Sequence, residues 1–186
     1  SDAVAMARHP GASGVLVVCA GEVHTGLDVN KVHSYRLGAF DAGDAGALGA
    51  MEAGQLRLFR AFPVSAAPSP AGARRLEKFL STAALPRVVL LTSHADADGD
   101  MVRALLALPA ERPLRGIVVA GTGNGSVNQP LEAALAEAQA GGVRVVRTTR
   151  CARGTVLPRP GHPLPEISCL SPVKARLALA LELLAG

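Results

Sequence analysis

Three lysines stand against sixteen arginines in this chain of 186 residues, and one of them, Lys31, follows directly on Asp28, Val29 and Asn30. Lysine offers a compact ammonium that can give up its proton, which arginine does not, so its use in an arginine-rich chain points to a role for a titratable cation. A buried lysine beside a carboxylate can serve the proton relay of a nucleophile. The plainer alternative is a solvated side chain just past a hairpin. A second constellation is Gly121-Thr122-Gly123-Asn124-Gly125-Ser126. It follows an apolar run and precedes a helical one, the position where successive backbone amides can cradle an anion or a polar head group. It is not a Walker A loop, because no Lys-Ser/Thr follows, and the third glycine of a dinucleotide fingerprint is here Ser126. The alternative is a tight strand-to-helix turn capped by Ser126 or Asn128.

Other reactive types carry less. The run from His94 to Asp100 (HADADGD) has the look of a calcium loop, but counted from Asp96 its glycine is fourth and its twelfth residue is Ala107. Helix capping by Asp98 or Asp100 explains those carboxylates better. His9, His24, His33, His94 and His162 are scattered, and Cys19, Cys151 and Cys169 form no pair with zinc spacing. The expected cofactor and metal content is none. No Gly-x-Ser-x-Gly elbow is present. Cys19 ends an apolar strand and reads as core. Cys151 lies among arginines that would favour its thiolate, though no base is evident beside it.

Charge is shared unevenly. Residues 1–60 hold five Lys or Arg and six Asp or Glu, whereas residues 61–186 hold fourteen and nine. No acid lies between Glu137 and Glu166, while Arg144, Arg147, Arg150, Arg153 and Arg159 all do. They read either as solvated arginines or as an anion-facing loop.

The elements that must position these groups fall into two halves. Ser1 to Arg8 (SDAVAMAR) reads as the tail of a helix ended by His9-Pro10-Gly11. This beginning without an initiator Met, in mid-helix, raises the expectation of a chain cut from something longer. Gly14 to Cys19 predicts a strand, Glu22 to Thr25 its hairpin partner, and Ala47 to Met51 with Gln55 to Phe62 a second hairpin. Polar, irregular sequence fills 26–46, and Ala66 to Gly72 (AAPSPAG) reads as a linker. The second half alternates: strands at Val88 to Thr92, Gly116 to Ala120 and Val143 to Thr148, helices at Asp100 to Leu108, Pro130 to Ala140 and Pro172 to Leu184. Continuous apolar strands separated by helices predict a parallel sheet covered on both faces, with ligand-binding strand ends along one edge.

Composition narrows the class. The chain is 49% hydrophobic and 18% charged, which excludes general disorder. No apolar run nears the ~18 residues of a membrane helix, so no membrane partner is expected. Aromatic residues make up 3% and no binding motif is evident, so nucleic acid is an unfavoured partner. A cytoplasmic setting is favoured over a periplasmic one, which stays open.

Several segments taken together resemble the bacterial-type L-asparaginases. Gly14-Val15-Leu16-Val17-Val18 onward, then Asp28-Val29-Asn30-Lys31, Phe40 and Gly46-Ala47-Leu48-Gly49, parallel family runs of the form GVLVVMND, DVTK, AF and GPLG. Leu85-Pro86-Arg87-Val88, the run from Gly116 to Ser126, Thr148-Thr149-Arg150 and Leu170-Ser171-Pro172-Val173-Lys174-Ala175-Arg176 continue the match in order; the last is similar to LNPxKAR. The resemblance implies a two-domain α/β homo-oligomer, a homodimer or homotetramer, that hydrolyses the side-chain amide of asparagine, in some members glutamine, and releases ammonia. It further implies a threonine nucleophile, a relay of a second Thr, an Asp and a Lys, and backbone amides as oxyanion hole. Carried over, Lys31 matches the relay lysine. Asn124 and Ser126 match a turn that reaches into a neighbouring subunit's site and holds substrate.

The departures are equally specific. The family's TGGTI and HGTDT threonine motifs do not occur in these residues. The loop that in the family carries an acid for the substrate's ammonium reads Arg159-Pro160-Gly161-His162, and a cation there disfavours a cationic partner. Asn30 and Val32 replace threonines flanking the lysine. The resemblance therefore implies the carboxy-terminal part of an amidohydrolase: 1–62 the end of a larger amino-terminal α/β domain, 63–84 a linker with a short helix, and 85–186 a smaller α/β domain with a parallel sheet and helices on both faces. Such a piece is expected to be inactive alone. The other reading is a non-catalytic binding or assembly module with an arginine-rich, anion-facing loop.

Overall fold

The computed structural model describes residues 1–64, 69–108, 111 and 113–184. The chain forms two compact units, Ser1–Ala67 and Pro68–Gly186.

The first unit begins with a short helix, α1 (Asp2–Ala7), and then builds an antiparallel sheet. Strands β1 (Leu16–Cys19) and β2 (Glu22–Thr25) make one hairpin, and β5 (Gly49–Glu52) and β6 (Gln55–Leu58) make another, in the order β1-β2-β5-β6. Both hairpins close through Ala-Gly pairs with positive φ: Ala20 at 50° and Gly21 at 81°, Ala53 at 50° and Gly54 at 77°. Positive φ at both central residues matches the twist of the strands it joins. Val23, Leu48, Met6 and Met51 form the core, with Leu16, Val18 and Phe62 against it. The stretch 26–46, expected to be irregular, contains two further strands, β3 (Asn30–Lys31) and β4 (Phe40–Asp41), paired antiparallel. Two residues are too few to leave a periodic signal.

The second unit opens on helix α2 (Pro70–Ser81), none of whose residues is buried, lying against α5 (Pro172–Leu183). The linker reading of Ala66 to Gly72 needs correction at its end. Residues 65–68 lie outside the described residues, but Pro70, Ala71 and Gly72 are the first turn of α2. Ser69 caps that turn by accepting the N–H of Gly72 at 3.0 Å. Ser-Pro is a helix-starting pair as well as a linker pair, because a first-turn proline lacks only an N–H that has no intrahelical partner.

Beyond it, β7 (Arg87–Thr92), β8 (Leu114–Gly121) and β9 (Arg144–Thr149) form a parallel sheet in that order. Helices α3 (Asp100–Ala107) and α4 (Gln129–Ala140) cover one face and α5 the other. Along β8 the alternation is plain: Ile117 and Val119 belong to the α3/α4 core, and Val118, between them, to the α5 core. Here the expected architecture holds, a parallel sheet with helices on both faces. Among the described residues no helix is long and apolar enough to cross a membrane.

Candidate functional site

The glycine turn sits at the carboxyl end of β8, where strands of a parallel sheet present ligands. Its glycines serve closure. A Cβ on Gly121 would lie 2.4 Å from the carbonyl carbon of Gly125, and one on Gly125, at φ 74°, would lie 2.9 Å from a Val156 methyl. Thr122 and Ser126 bridge through their backbones, Thr122 N–H to Ser126 O at 2.9 Å and Ser126 N–H to Thr122 O at 2.8 Å. The turn is thus shut on itself, and these two amides are unavailable to an anion. The expected cap is Asn128, whose Oδ1 accepts the N–H of Leu131 at 3.0 Å to start α4.

Further bonds fasten the turn from outside. Thr149 Oγ1 donates to Gly123 O at 2.7 Å, and the Arg150 N–H to Gly121 O at 2.9 Å. Asn124, an exposed residue, accepts the Leu157 N–H on its Oδ1 at 2.7 Å. Ser126 is exposed as well. The turn therefore presents two small polar side chains on a rigid frame.

Lys31 belongs to the other unit. It is exposed at the end of β3 opposite Phe40, with Nζ 5.9 Å from the centre of that ring. Its neighbour in sequence, Asp28, has other business: Oδ2 accepts from Thr25 Oγ1 at 2.7 Å and from Arg60 Nη2 at 2.7 Å. The buried lysine–carboxylate pair weighed from the sequence is not what these residues form. Asn124 and Ser126 share one turn; Lys31 does not share it.

The acid-free arginines do not converge on one loop. Arg144 and Arg147 lie in β9. Arg144 is forked onto Glu166 and also reaches Glu182 Oε2 at 2.7 Å, and these carboxylates, Glu166 first, raise its pKa further. Arg147 is 2% exposed and donates through Nε to the Leu164 carbonyl at 2.7 Å. Its Nη1 makes a longer contact of 3.4 Å to the carbonyl of Gly125, while its buried Nη2 has no hydrogen-bond partner among the described residues. Burial pushes its pKa down, with nearby Glu132 opposing that and Arg159 adding to it. Arg150 Nη1 donates to Ser93 O at 3.1 Å. The clue to Arg147 was present in the pattern: Val145 and Arg147 share one face of a strand whose two faces are both covered, so Arg147 had to be buried.

All three cysteines are free thiols, and among the described residues no group of three His, Cys, Asp or Glu could hold a metal. Asp98 accepts the N–H of Asp100 at 3.0 Å, but the N-cap position of α3 is Gly99, so neither expected aspartate occupies it.

The model of the asparaginase N-terminal domain matches residues 1–63, and that of the glutaminase/asparaginase C-terminal domain matches residues 87–186. The chain belongs to the glutaminase/asparaginase family. It is 30% identical over 188 aligned residues to the glutaminase-asparaginase of Pseudomonas fluorescens biotype A, covering 97% of this chain and 49% of that protein. It is 29% identical over 177 residues to L-asparaginase 2 of Escherichia coli K12, covering 91% of this chain and 48% of that one. A crystal structure of a probable cytoplasmic L-asparaginase from Campylobacter jejuni superposes with a TM-score of 0.81 at 28% identity, over 98% of this chain and 55% of that one. The chain spans about half the length of these relatives.

Proposed function

We propose that this chain is the portion of an asparaginase-type amidohydrolase that supplies the relay lysine Lys31 and the substrate-facing side chains Asn124 and Ser126. The reaction would be hydrolysis of the side-chain amide of asparagine, or of glutamine, to the carboxylate and ammonia, in a homo-oligomer without cofactor. The carrying observation is that both family models match, in order, residues 1–63 and 87–186, one in each compact unit. The rigid turn is consistent with it: an exposed Ser126 hydroxyl and Asn124 amide can bind a polar amino acid without reorganising.

A lysine relay does nothing without a nucleophile, and neither family threonine motif occurs in these 186 residues. The expected result of a coupled ammonia assay on this chain is therefore no release from L-asparagine or L-glutamine above the uncatalysed rate. Release by the chain alone would overturn the assignment of the nucleophile outside it. The second reading, a module binding anions through an arginine loop, loses ground to the contacts of Arg144, Arg147 and Arg150. Thermal shift separates the two: stabilisation by L-aspartate and not by simple dicarboxylates favours the amidohydrolase.

A further inference from the structure

Residues 159–166 fold back over the outer edge of β9 and the beginning of α4. Leu164 anchors this strap, fully buried in the core beneath α4. Arg147 Nε holds the Leu164 carbonyl at 2.7 Å, and the Arg147 N–H holds the Glu166 carbonyl at 2.9 Å. Because Nη1 of the same guanidinium reaches Gly125 O at 3.4 Å, one buried cation ties the strap to the glycine turn.

His162 sits in the middle of this strap with its side chain 8% exposed. Its Nδ1 accepts the N–H of Leu164 at 3.0 Å, so that nitrogen carries no proton and the ring is neutral. Nε2 then holds the hydrogen, 3.5 Å from Glu132 Oε2 in the first turn of α4. Adding a proton at Nδ1 would set two donors face to face and abolish the Leu164 bond. The charges around the ring are Arg147 from β9, Arg159 from the strap itself and Glu132 from α4. Two cations against one carboxylate disfavour an imidazolium there.

We propose that His162 is a proton-operated latch: neutral, it fastens the strap over Arg147 and thereby steadies the 121–126 turn, and on protonation it releases both. The latch rests on these hydrogen bonds and does not depend on amide hydrolysis, so either reading can fail while the other stands. Burial first, then Arg147, lowers the His162 pKa below the usual 6.5, against the pull of Glu132. A histidine depressed in the folded state contributes stability that is present above the unfolded value and lost as pH falls through the folded one. The strap therefore loosens on the acid side of pH 6.5.

The test is an NMR titration of the whole chain, following the His162 ring signal, assigned by its disappearance in His162→Asn. Amide exchange at Leu164 and Ser126 is measured over the same pH range and corrected for intrinsic rates. The expected midpoint lies below 6.5, with protection at both amides lost as the pH falls through it. In His162→Asn the side-chain oxygen can take the Leu164 N–H without titrating, so protection stays flat. Glu132→Gln moves the midpoint down and Arg159→Gln moves it up. The proposal is overturned by a midpoint at or above 6.5, by the same loss of protection in His162→Asn, or by Glu132→Gln and Arg159→Gln shifting the midpoint the same way.

Discussion

Lys31 and the Asn124/Ser126 turn are held in opposite ways. Lys31 ends a strand of two residues, exposed, its ammonium 5.9 Å from one aromatic ring. The turn carrying Asn124 and Ser126 is closed by a backbone bridge, two glycines that cannot take a Cβ, and bonds from Thr149, Arg150, Arg147 and Leu157. A side chain on a turn fixed by its backbone keeps its place whatever binds. One on a two-residue strand depends on its surroundings to orient it, and Lys31 has the Phe40 ring beneath its charge. The proposed frame for substrate is thus rigidly built in the second unit, while the proposed relay cation in the first has a pliable seat.

Substitutions can break that contrast. Gly121→Ala forces a Cβ to 2.4 Å from backbone carbon, and the second unit should lose about 3 kcal/mol or more in urea unfolding. A loss under about 1 kcal/mol would show the turn to be as pliable as the Lys31 strand. Asn124→Ala removes the acceptor for the Leu157 amide, with an expected cost of about 1 kcal/mol and faster exchange at Leu157. Within the first unit, Ala53→Asn replaces an exposed alanine at φ 50° with a residue that tolerates that region, and should stabilise by about 0.5–1 kcal/mol. Lys31→Ala should change stability by less than about 0.5 kcal/mol, since an exposed ammonium over a ring contributes little. A larger loss would show that Lys31 is firmly held after all.

Legibility in the sequence followed the length and periodicity of each segment. The three strands of the second unit and its helices α3, α4 and α5 are readable to within two residues, because runs such as Ile117 to Ala120 are apolar throughout and each of these helices opens on a proline, asparagine or aspartate signal; α2 is not, because its Ser69-Pro70 start reads equally as linker. The region 26–46 is not readable in this way. Its strands are two residues long and exist because Asn30 and Lys31 find Asp41 and Phe40 across the chain, a pairing that no local propensity encodes. The glycine turn is recognisable as a turn, but its glycines look equally suited to cradling an anion; only the spacing of Gly121 against Gly125 and Val156 shows that they are there for closure.

The arginines mark the boundary most sharply. Their number, their acid-free neighbourhood and the family pattern around them are properties of the sequence alone, as is the order of motifs that places the chain among the asparaginases. Where each charge goes was decided by the tertiary fold. Strand pleat turned Arg147 inward beneath α4, chain reversal brought Glu166 and Glu182 to Arg144, and the strap set His162 between Glu132 and two guanidiniums. A charge's effect depends on distance and dielectric, and both are set by which surfaces the fold buries.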